Sequence, residues 1–513
     1  MSKSLRVRSR LAGLALALIV ALSCFGVQHD FETGLTGDST PIEKATAELA
    51  WSYNYQGDDA WAPAVSTPLV VDGDVYLASA SQIRILDQAT GVEKAVVDLP
   101  AAIDYGARCV YADGKILVPL TGGSVIALQP GTLETVWASE AAPVLAAGAQ
   151  QVNSSLSLID GRIYLATVVP TASVSKGGNL VCLDAATGKT LWVQEDPAGY
   201  YWAAACKANG FAVIGADSGI VRAIAPDSAT GDPAASLDLG SGVRSSAVAD
   251  GNDVYLVTMD GVLHRISVAA DGALTETATA KIGDVSTSTP VVTADSVFVG
   301  GGVKKTAGYG NDGVLSIVDK ADMTVTQIKT SDGKLLAGEV KSRPLVSEQA
   351  SGTYVYFTAN GAEGWPYTSG GDLIMYKVGD TEATSLFNPD GMNNWCMSSV
   401  ALGDDGLLLY TNDSGNLFAV KGPAAVVPGP EPDPAPDTEP APDPEPVPDP
   451  DQGDGDGSVP ENPAVPENPG AGMQDGSETL PTTGDAAAPL GAGMLAIAVA
   501  SAAGVALAVR RAS

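Results

Sequence analysis

Histidine and cysteine are scarce in this sequence, and their scarcity limits the chemistry that it can support. The chain has two histidines, His29 and His264, and five cysteines, no two of which are adjacent. No histidine cluster is therefore available to hold a metal, and no G-x-S-x-G motif marks a serine nucleophile. From these absences we expect neither catalysis nor a resident cofactor.

Basic residues are also few, which bounds the partners of the protein. The chain has 28 Lys and Arg against 60 Asp and Glu, a formal net charge of -32. A strongly acidic balance argues against nucleic-acid binding, which depends on neutralising phosphates.

One stretch, residues 422–479, holds much of the acidic charge. It contains 16 prolines and 14 acidic residues, and no Lys or Arg. Such a composition cannot bury a core. Because polyproline II rises ~3.1 Å per residue, the stretch predicts a disordered stalk that reaches roughly 180 Å.

The N-terminus, residues 1–26, has the three parts of a secretory signal peptide. A basic segment at residues 3–10 precedes an apolar run at residues 11–22, and small residues follow at residues 23–26. We expect cleavage near residues 23–26, which leaves residues 27–48 as a short N-terminal segment.

The C-terminus, residues 480–513, resembles the LPxTG sorting signal of Gram-positive surface proteins. The motif is followed by an apolar run at residues 486–509 and then by two arginines. The resemblance implies that a sortase cuts after the motif threonine and joins the protein to peptidoglycan. A permanent membrane anchor is the alternative, and it too places the protein outside the cell. The motif consists of Leu480, Pro481, Thr482, Thr483 and Gly484.

Residues 49–421 have the pattern of an all-β domain. Short β-branched runs alternate with Gly, Asp and Asn turns, which is typical of strands rather than helices. One strand type recurs eight times at intervals of roughly 40 to 60 residues, as four-stranded propeller blades require. The eight copies are "DVYLAS", "KILVPL", "RIYLAT", "FAVIGA", "DVYLVT", "SVFVGG", "YVYFTA" and "LLLYTN".

The eighth repeat ends after its third strand, at Lys421. The segment "ELAWSYNY", residues 48–55, carries Trp51 where other repeats have a tryptophan in their fourth strand. Pairing of this segment with the last blade would close the ring and leave no open sheet edge there. The sequence therefore predicts an eight-bladed β-propeller closed by an N-terminal strand.

The segment "GGNLVCLDAATGKTLW", residues 177–192, resembles the propeller repeats of the quinoprotein dehydrogenases. Asp184, Thr187 and Gly188 make a turn in it, and the resemblance implies that Trp192 packs against the next blade. Those enzymes hold pyrroloquinoline quinone with calcium under a disulfide between adjacent cysteines. This sequence has no adjacent cysteines, so we expect the architecture without the quinone or its calcium.

Four cysteines remain after signal cleavage: Cys109, Cys182, Cys206 and Cys396. An even number outside the cell indicates disulfides. Cys182 and Cys206 lie on neighbouring predicted blades and form the plausible pair. Buried free thiols are the alternative, since a propeller needs no covalent staple.

One face of the propeller gathers aromatic side chains. Insertions at residues 169–179, 301–313 and 360–372 open on this face, together with connections between blades. Aromatic faces with polar neighbours suit sugar rings or peptide side chains, although the rings could instead pack between blades. The candidate ligand face comprises Trp61, Tyr201, Trp202, Tyr309, Arg343, Trp365, Tyr367 and Trp395.

Basic residues also recur near the expected axis. Counted from the turn after each first strand, Arg108 and Arg343 align with Thr67, Ser155 and Thr289, whereas Arg244 is offset by one. Lys341 and Lys207 are close by in the sequence. These cations could bind an anionic ligand or pair with a rim carboxylate such as Asp104.

Three functions fit these features. The first is a wall-anchored binding or adhesion module for a glycan, a peptide or a protein. The second is a scaffold for other surface proteins, as the related outer-membrane assembly propeller is for its partners. The third is a quinone-dependent dehydrogenase.

Overall fold

The structure is a computed structural model that describes most of the repeat region. It describes residues 42–56, 66–171, 175–306, 310–330, 333–349, 351–360, 370–403 and 406–422. The predicted signal peptide, sorting motif and all but the first residue of the predicted stalk therefore lie outside the described residues. So do four members of the predicted ligand face: Trp61, Tyr309, Trp365 and Tyr367.

The described residues form 32 strands in eight four-stranded antiparallel sheets, which confirms the eight-bladed propeller. The first strands of the blades are β2 (Leu69–Val71), β6 (Val110–Ala112), β10 (Ser157–Ile159), β14 (Cys206–Ala208), β18 (Val248–Asp250), β22 (Val291–Val292), β26 (Leu345–Gln349) and β30 (Ala401–Leu402). First strands of neighbouring blades contact one another around the axis, as β2 does with both β6 and β30. The second strands are β3 (Asp74–Ser79), β7 (Lys115–Leu120), β11 (Arg162–Ala166), β15 (Phe211–Gly215), β19 (Asp253–Thr258), β23 (Ser296–Lys304), β27 (Gly352–Thr358) and β31 (Leu408–Asn412). The third strands are β4 (Gln82–Asp87), β8 (Ser124–Leu128), β12 (Gly178–Asp184), β16 (Ile220–Ile224), β20 (Val262–Val268), β24 (Asn311–Asp319), β28 (Leu373–Lys377) and β32 (Asn416–Lys421). The outer strands are β5 (Glu93–Asp98), β9 (Thr135–Ala138), β13 (Thr190–Asp196), β17 (Pro233–Asp238), β21 (Leu274–Lys281), β25 (Val325–Ile328), β29 (Thr384–Phe387) and β1 (Glu48–Asn54).

The ring closes through the first strand of the chain, as predicted. Strand β1 pairs antiparallel with β32, and Trp51 lies opposite Ala419. Trp137 and Trp192 hold the corresponding register in their own blades, opposite Ala127 and Cys182. The N-terminal strand therefore completes the eighth blade with the same register that other blades use.

The hydrophobic core is divided among the interfaces between blades. Eight clusters of buried side chains are present, and each joins two neighbouring blades. The cluster that closes the ring joins Val75 and Leu77 of the first blade to Leu409 and Leu417 of the last. Because middle strands face a neighbouring blade on both sides, β3 is buried along nearly its whole length, whereas the outer strand β5 is mostly exposed.

The turn between the third and outer strands of a blade is stabilised by hydrogen bonds to an aspartate and by a contact between a glycine and a tryptophan ring. In the turn after β12, Asp184 accepts hydrogen bonds from the Thr187 amide at 2.9 Å and from its hydroxyl at 2.7 Å. These bonds lower the pKa of Asp184. Gly188 has a φ of 71°, and a Cβ there would overlap the Trp137 ring of the preceding blade. Trp192 covers Gly231 of the next blade in the same way, so the repeat's tryptophan joins blade to blade.

Two expectations need correction. The insertion at residues 301–313 is mostly an extension of β23 and β24 rather than a loop. Glycines in these strands allow other backbone to approach closely. A Cβ at Gly313, for example, would overlap the carbonyl of Gly338. The described cysteines are free thiols. Cys182 lies in the cluster between the third and fourth blades, whereas Cys206 packs between the fourth and fifth.

No helix in the described part of the chain has the length and hydrophobicity that a membrane crossing requires.

Candidate binding site at the propeller axis

Equivalent residues precede each first strand and surround the axis. Pairing of the first and second strands sets the equivalence, and Thr67 and Arg108 of neighbouring blades form a parallel bridge. This register confirms the alignment of Arg108 and Arg343. The equivalent residues are Thr67, Arg108, Ser155, Ala204, Ser246, Thr289, Arg343 and Ser399.

Arg244 does not belong to this ring. The register places Ser246 at the equivalent position, so Arg244 is offset by two residues, not by the predicted one. Its guanidinium is buried and binds both carboxylate oxygens of Asp217, at 2.5 and 2.9 Å. It also lies 4.5 Å from the centre of the Tyr201 ring. Arg244 therefore holds neighbouring side chains in place.

A pocket that is partly open to solvent lies at the axis between the ring residues and the connections above them; the free space in and above it is about 630 Å³, open solvent included. Among the described residues, its cationic lining is Arg108 and Lys341, and its acidic lining is Asp413. The remaining lining is Thr67, Tyr105, Gly106, Trp202, Thr287, Thr289, Met397, Ser398, Thr411 and Asn412.

Asp413 is held in the pocket by a tyrosine from the other end of the repeat array. The Tyr105 hydroxyl donates a hydrogen bond of 2.8 Å to Oδ1 of Asp413. Burial raises the pKa of Asp413 to about 6, and the bond from Tyr105 opposes that rise. Burial also raises the pKa of Tyr105 well above its usual value, and the nearby Asp413 charge adds to the rise.

Trp202 forms part of the pocket wall and has an unusual backbone. Its φ is 58°, a left-handed conformation that is uncommon for a bulky residue and costs of order 1–3 kcal/mol. Tyr201 packs edge-on against it, with ring centres 4.5 Å apart. Gly106 lies beside the indole nitrogen, where a Cβ would approach to 3.0 Å. The surroundings thus hold the Trp202 ring at the pocket.

Hydroxyl groups form another part of the lining. Thr289 accepts a hydrogen bond of 3.0 Å from the Ser246 amide, and Ser398 accepts one of 3.3 Å from the Thr411 amide. The buried hydroxyl of Thr287 makes no hydrogen bond to any described residue. A buried hydroxyl is normally paired, so Thr287 is an exception in the wall of the pocket.

The other predicted site residues that the structure describes do not line the pocket. Arg343 is 2% exposed, and its amide donates to the Ser399 hydroxyl. Trp395 is half-buried and does not line the pocket, although its carbonyl accepts a hydrogen bond from the Asp413 amide. Lys207 pairs with Asp160 at 2.6 Å outside the pocket.

Asp104, the carboxylate suggested as a partner for the cations, has neutral partners. It accepts hydrogen bonds from the Val152 amide at 2.7 Å and from the Thr121 hydroxyl at 2.9 Å. Burial raises its pKa.

Comparison with known proteins identifies one family model and one curated relative. The model is described as outer membrane protein assembly factor BamB, of the PQQ-like repeat type, and it matches residues 31–224, 121–302 and 176–422. The relative is the serine/threonine-protein kinase AfsK of Streptomyces griseus, which is 28% identical over 154 residues, 29% of this chain and 18% of the kinase. This chain thus spans less than a fifth of that relative.

Solved structures share the fold at low sequence identity. A europium-containing methanol dehydrogenase has a TM-score of 0.54 and 13% identity over 77% of this chain and 98% of that one. The quinohemoprotein alcohol dehydrogenase from Comamonas testosteroni has a TM-score of 0.53 and 14% identity over 75% of this chain and 78% of that one. At these identities the likeness is one of fold alone.

The axial pocket does not fit a quinone with its calcium. Calcium prefers several oxygen ligands with carboxylates among them, and the described lining of the pocket provides the carboxylate of Asp413 beside the cationic Arg108 and Lys341. Among the described residues, no group of three or more His, Cys, Asp or Glu side chains could hold a metal. The described lining consists mainly of hydrogen-bonding and charged side chains.

Proposed function

The chain belongs to the PQQ-like repeat family of the assembly factor BamB, and we propose that its propeller is a non-catalytic binding module outside the cell. The ligand is a glycan, a peptide or a protein segment. The observation that carries the proposal is the axial pocket, in which Trp202, Arg108 and a row of hydroxyl groups converge. Pockets that combine an apolar wall with a few placed polar groups are typical of ligand sites.

Placement outside the cell rests on the two ends of the chain. Residues 1–26 have the composition of a signal peptide, and residues 480–484 form the LPxTG-like motif. Both lie outside the described residues. In this proposal the stalk at residues 422–479 spans the wall, and a sortase and peptidoglycan are the partners that anchor the protein.

A scaffold for other proteins is the second candidate, and the outer edge of the first blade favours it. Val92, Val96 and Val97 on or beside β5 are 62%, 43% and 36% exposed. Exposed apolar groups on an edge strand can mark a protein contact. The description of the matching family as an assembly factor agrees with this candidate.

Binding arrays separate the two candidates. The mature chain is applied to glycan and peptide arrays beside two variants, Trp202→Ala in the pocket and Val96→Glu on β5. Loss of a bound glycan or peptide with Trp202→Ala alone supports the axial binding module. If Val96→Glu alone abolishes capture, the scaffold is the better description and the axial proposal is wrong.

A further inference from the structure

Cations predominate among the charged side chains that line the described part of the axial pocket, although the protein is acidic. The chain as a whole carries a formal charge of -32. The charged lining among the described residues consists of Arg108, Lys341 and Asp413. In a partly enclosed space, charges of one sign attract a ligand of the other sign more strongly than they would at an open surface.

The two cations come from opposite parts of the repeat array. Arg108 precedes the first strand of the second blade, and Lys341 lies two residues before the equivalent position of the seventh. Lys341 is 3.9 Å from Glu339, and its side chain is 23% exposed. At this distance the ion pair is loose, and an ammonium group has three donors. Lys341 can therefore bind Glu339 and a ligand oxyanion together.

The rest of the pocket suits a polyhydroxylated ring. Thr67, Thr287 and Thr289 present hydroxyl groups, and the Thr287 hydroxyl has no protein partner among the described residues. Asp413 accepts from Tyr105 through one oxygen, so its other oxygen can accept from a sugar hydroxyl. Trp202 supplies an aromatic face of the kind on which sugar rings stack.

We propose that the axial pocket binds an anionic saccharide, a sugar ring that carries a carboxylate, phosphate or sulfate group. This inference rests on the proposed binding function and specifies its ligand. Arg108 and Lys341 bind the oxyanion, the threonine hydroxyls and Asp413 bind the ring hydroxyls, and Trp202 covers the face of the ring.

Four sugars with the same ring test the inference. Binding of glucuronate, glucose 6-phosphate, glucose 6-sulfate and glucose to the mature chain is measured by calorimetry. We expect at least one anionic sugar to bind roughly tenfold or more tightly than glucose, because a hydrogen bond between charged groups is stronger than one between neutral groups. The sugar that binds best identifies the anionic group.

Three variants assign the binding to the pocket. Arg108→Gln and Lys341→Gln should each weaken binding of that sugar roughly tenfold or more and reduce its dependence on salt. Lys207→Gln is the matched control, because Lys207 pairs with Asp160 outside the pocket, and it should bind as the parent does. Thermal melts of all three establish that the variants are folded.

Two outcomes would overturn the inference. In the first, none of the anionic sugars binds more tightly than glucose. In the second, folded Arg108→Gln and Lys341→Gln bind like the parent. If a neutral glycan or a peptide is instead captured and Trp202→Ala abolishes that capture, the binding function stands and only the anionic specificity is wrong.

Discussion

Tyr105 and Asp413 are separated by 308 positions in the sequence, yet their side chains share a hydrogen bond of 2.8 Å. Tyr105 belongs to the connection between the first two blades, and Asp413 follows β31 in the last. The bond therefore crosses the point at which the ring closes, and it lines the axial pocket. One contact thus joins the two ends of the repeat array and forms part of the pocket wall.

Replacement of Asp413 should make stability less dependent on pH. Burial raises the pKa of this carboxyl from 3.8 to about 6. Because the folded protein holds the proton more tightly than the unfolded chain, the contribution of Asp413 to stability is fully present below pH ~4 and is lost as the pH rises through ~6. The difference in free energy of unfolding between Asp413→Asn and the parent should therefore shift in favour of the variant by about 2 to 3 kcal/mol from pH 4 to pH 8. Urea unfolding at both pH values measures the difference, and an equal effect at both would contradict the prediction.

Two glycines that share a left-handed backbone conformation should differ in their tolerance of alanine. Gly91 and Gly131 have φ values of 71° and 77°. A Cβ at Gly91 would lie 2.5 Å from the Trp51 ring, whereas a Cβ at Gly131 would meet nothing within 4 Å. Gly131→Ala should lower the free energy of unfolding by only ~1 to 2 kcal/mol, the cost of a side chain in the left-handed backbone conformation. Gly91→Ala should cost about 1 to 3 kcal/mol more, because it displaces the tryptophan that joins the closing strand to the first blade.

Thermal and urea unfolding of the two glycine variants measure this difference directly. Equal losses would mean that Trp51 does not hold the ring closed.

The blades could be predicted from the sequence because their signals are local. Each second strand follows its own turn, so "DVYLAS" and "KILVPL" indicate β3 and β7 without knowledge of the rest of the chain. Arg108 was placed correctly at the axis for the same reason, since its distance from a turn fixes its position. The repeat of β-branched runs and turns thus determines the architecture.

The site could be predicted only in part because its contacts are not local. Asp413 lies in the turn segment "TNDSG", where aspartate is an ordinary turn former. Only closure of the ring brings Tyr105 to it. Arg343 aligns with Arg108 in the sequence but is buried. Its burial could not be predicted, because the spacing along a strand does not indicate which neighbouring side chains cover a residue.

Two tryptophans of the predicted ligand face should behave differently. Trp202 lines the pocket and Trp395 does not. Trp202→Ala should weaken ligand binding by about 2 kcal/mol, roughly thirtyfold, as loss of an aromatic anchor does. Trp395→Ala should leave affinity unchanged and lower the melting temperature through lost packing. Calorimetry with an array-identified ligand, together with thermal melts, checks both; an equal loss of affinity would place Trp395 in the site as well.

The free thiols, three of them buried and that of Cys206 half-buried, should resist alkylation until the protein unfolds. Burial raises the pKa of Cys109, Cys206 and Cys396 to about 12 and that of Cys182 to about 11. Since the thiolate is the reactive form, the native mature protein should gain no iodoacetamide adducts at pH 8. After denaturation without reductant, intact mass should show four adducts. Two adducts would indicate a disulfide, and peptide mapping would show whether it joins Cys182 to Cys206.

The sorting motif should distinguish Thr483 from the threonine before it. In the pattern LPxTG, Thr482 occupies the open position and Thr483 is the residue to which the resemblance assigns the new bond with peptidoglycan. Thr483→Ala should leave the protein in the membrane fraction or in the medium, because the apolar run at residues 486–509 can pause in the bilayer but forms no bond with the wall. Thr482→Ala is the matched control and should remain in the wall fraction after boiling in detergent. Digestion of purified walls and immunoblotting measure both variants. Covalent attachment of Thr483→Ala would show that a sortase does not act at this motif.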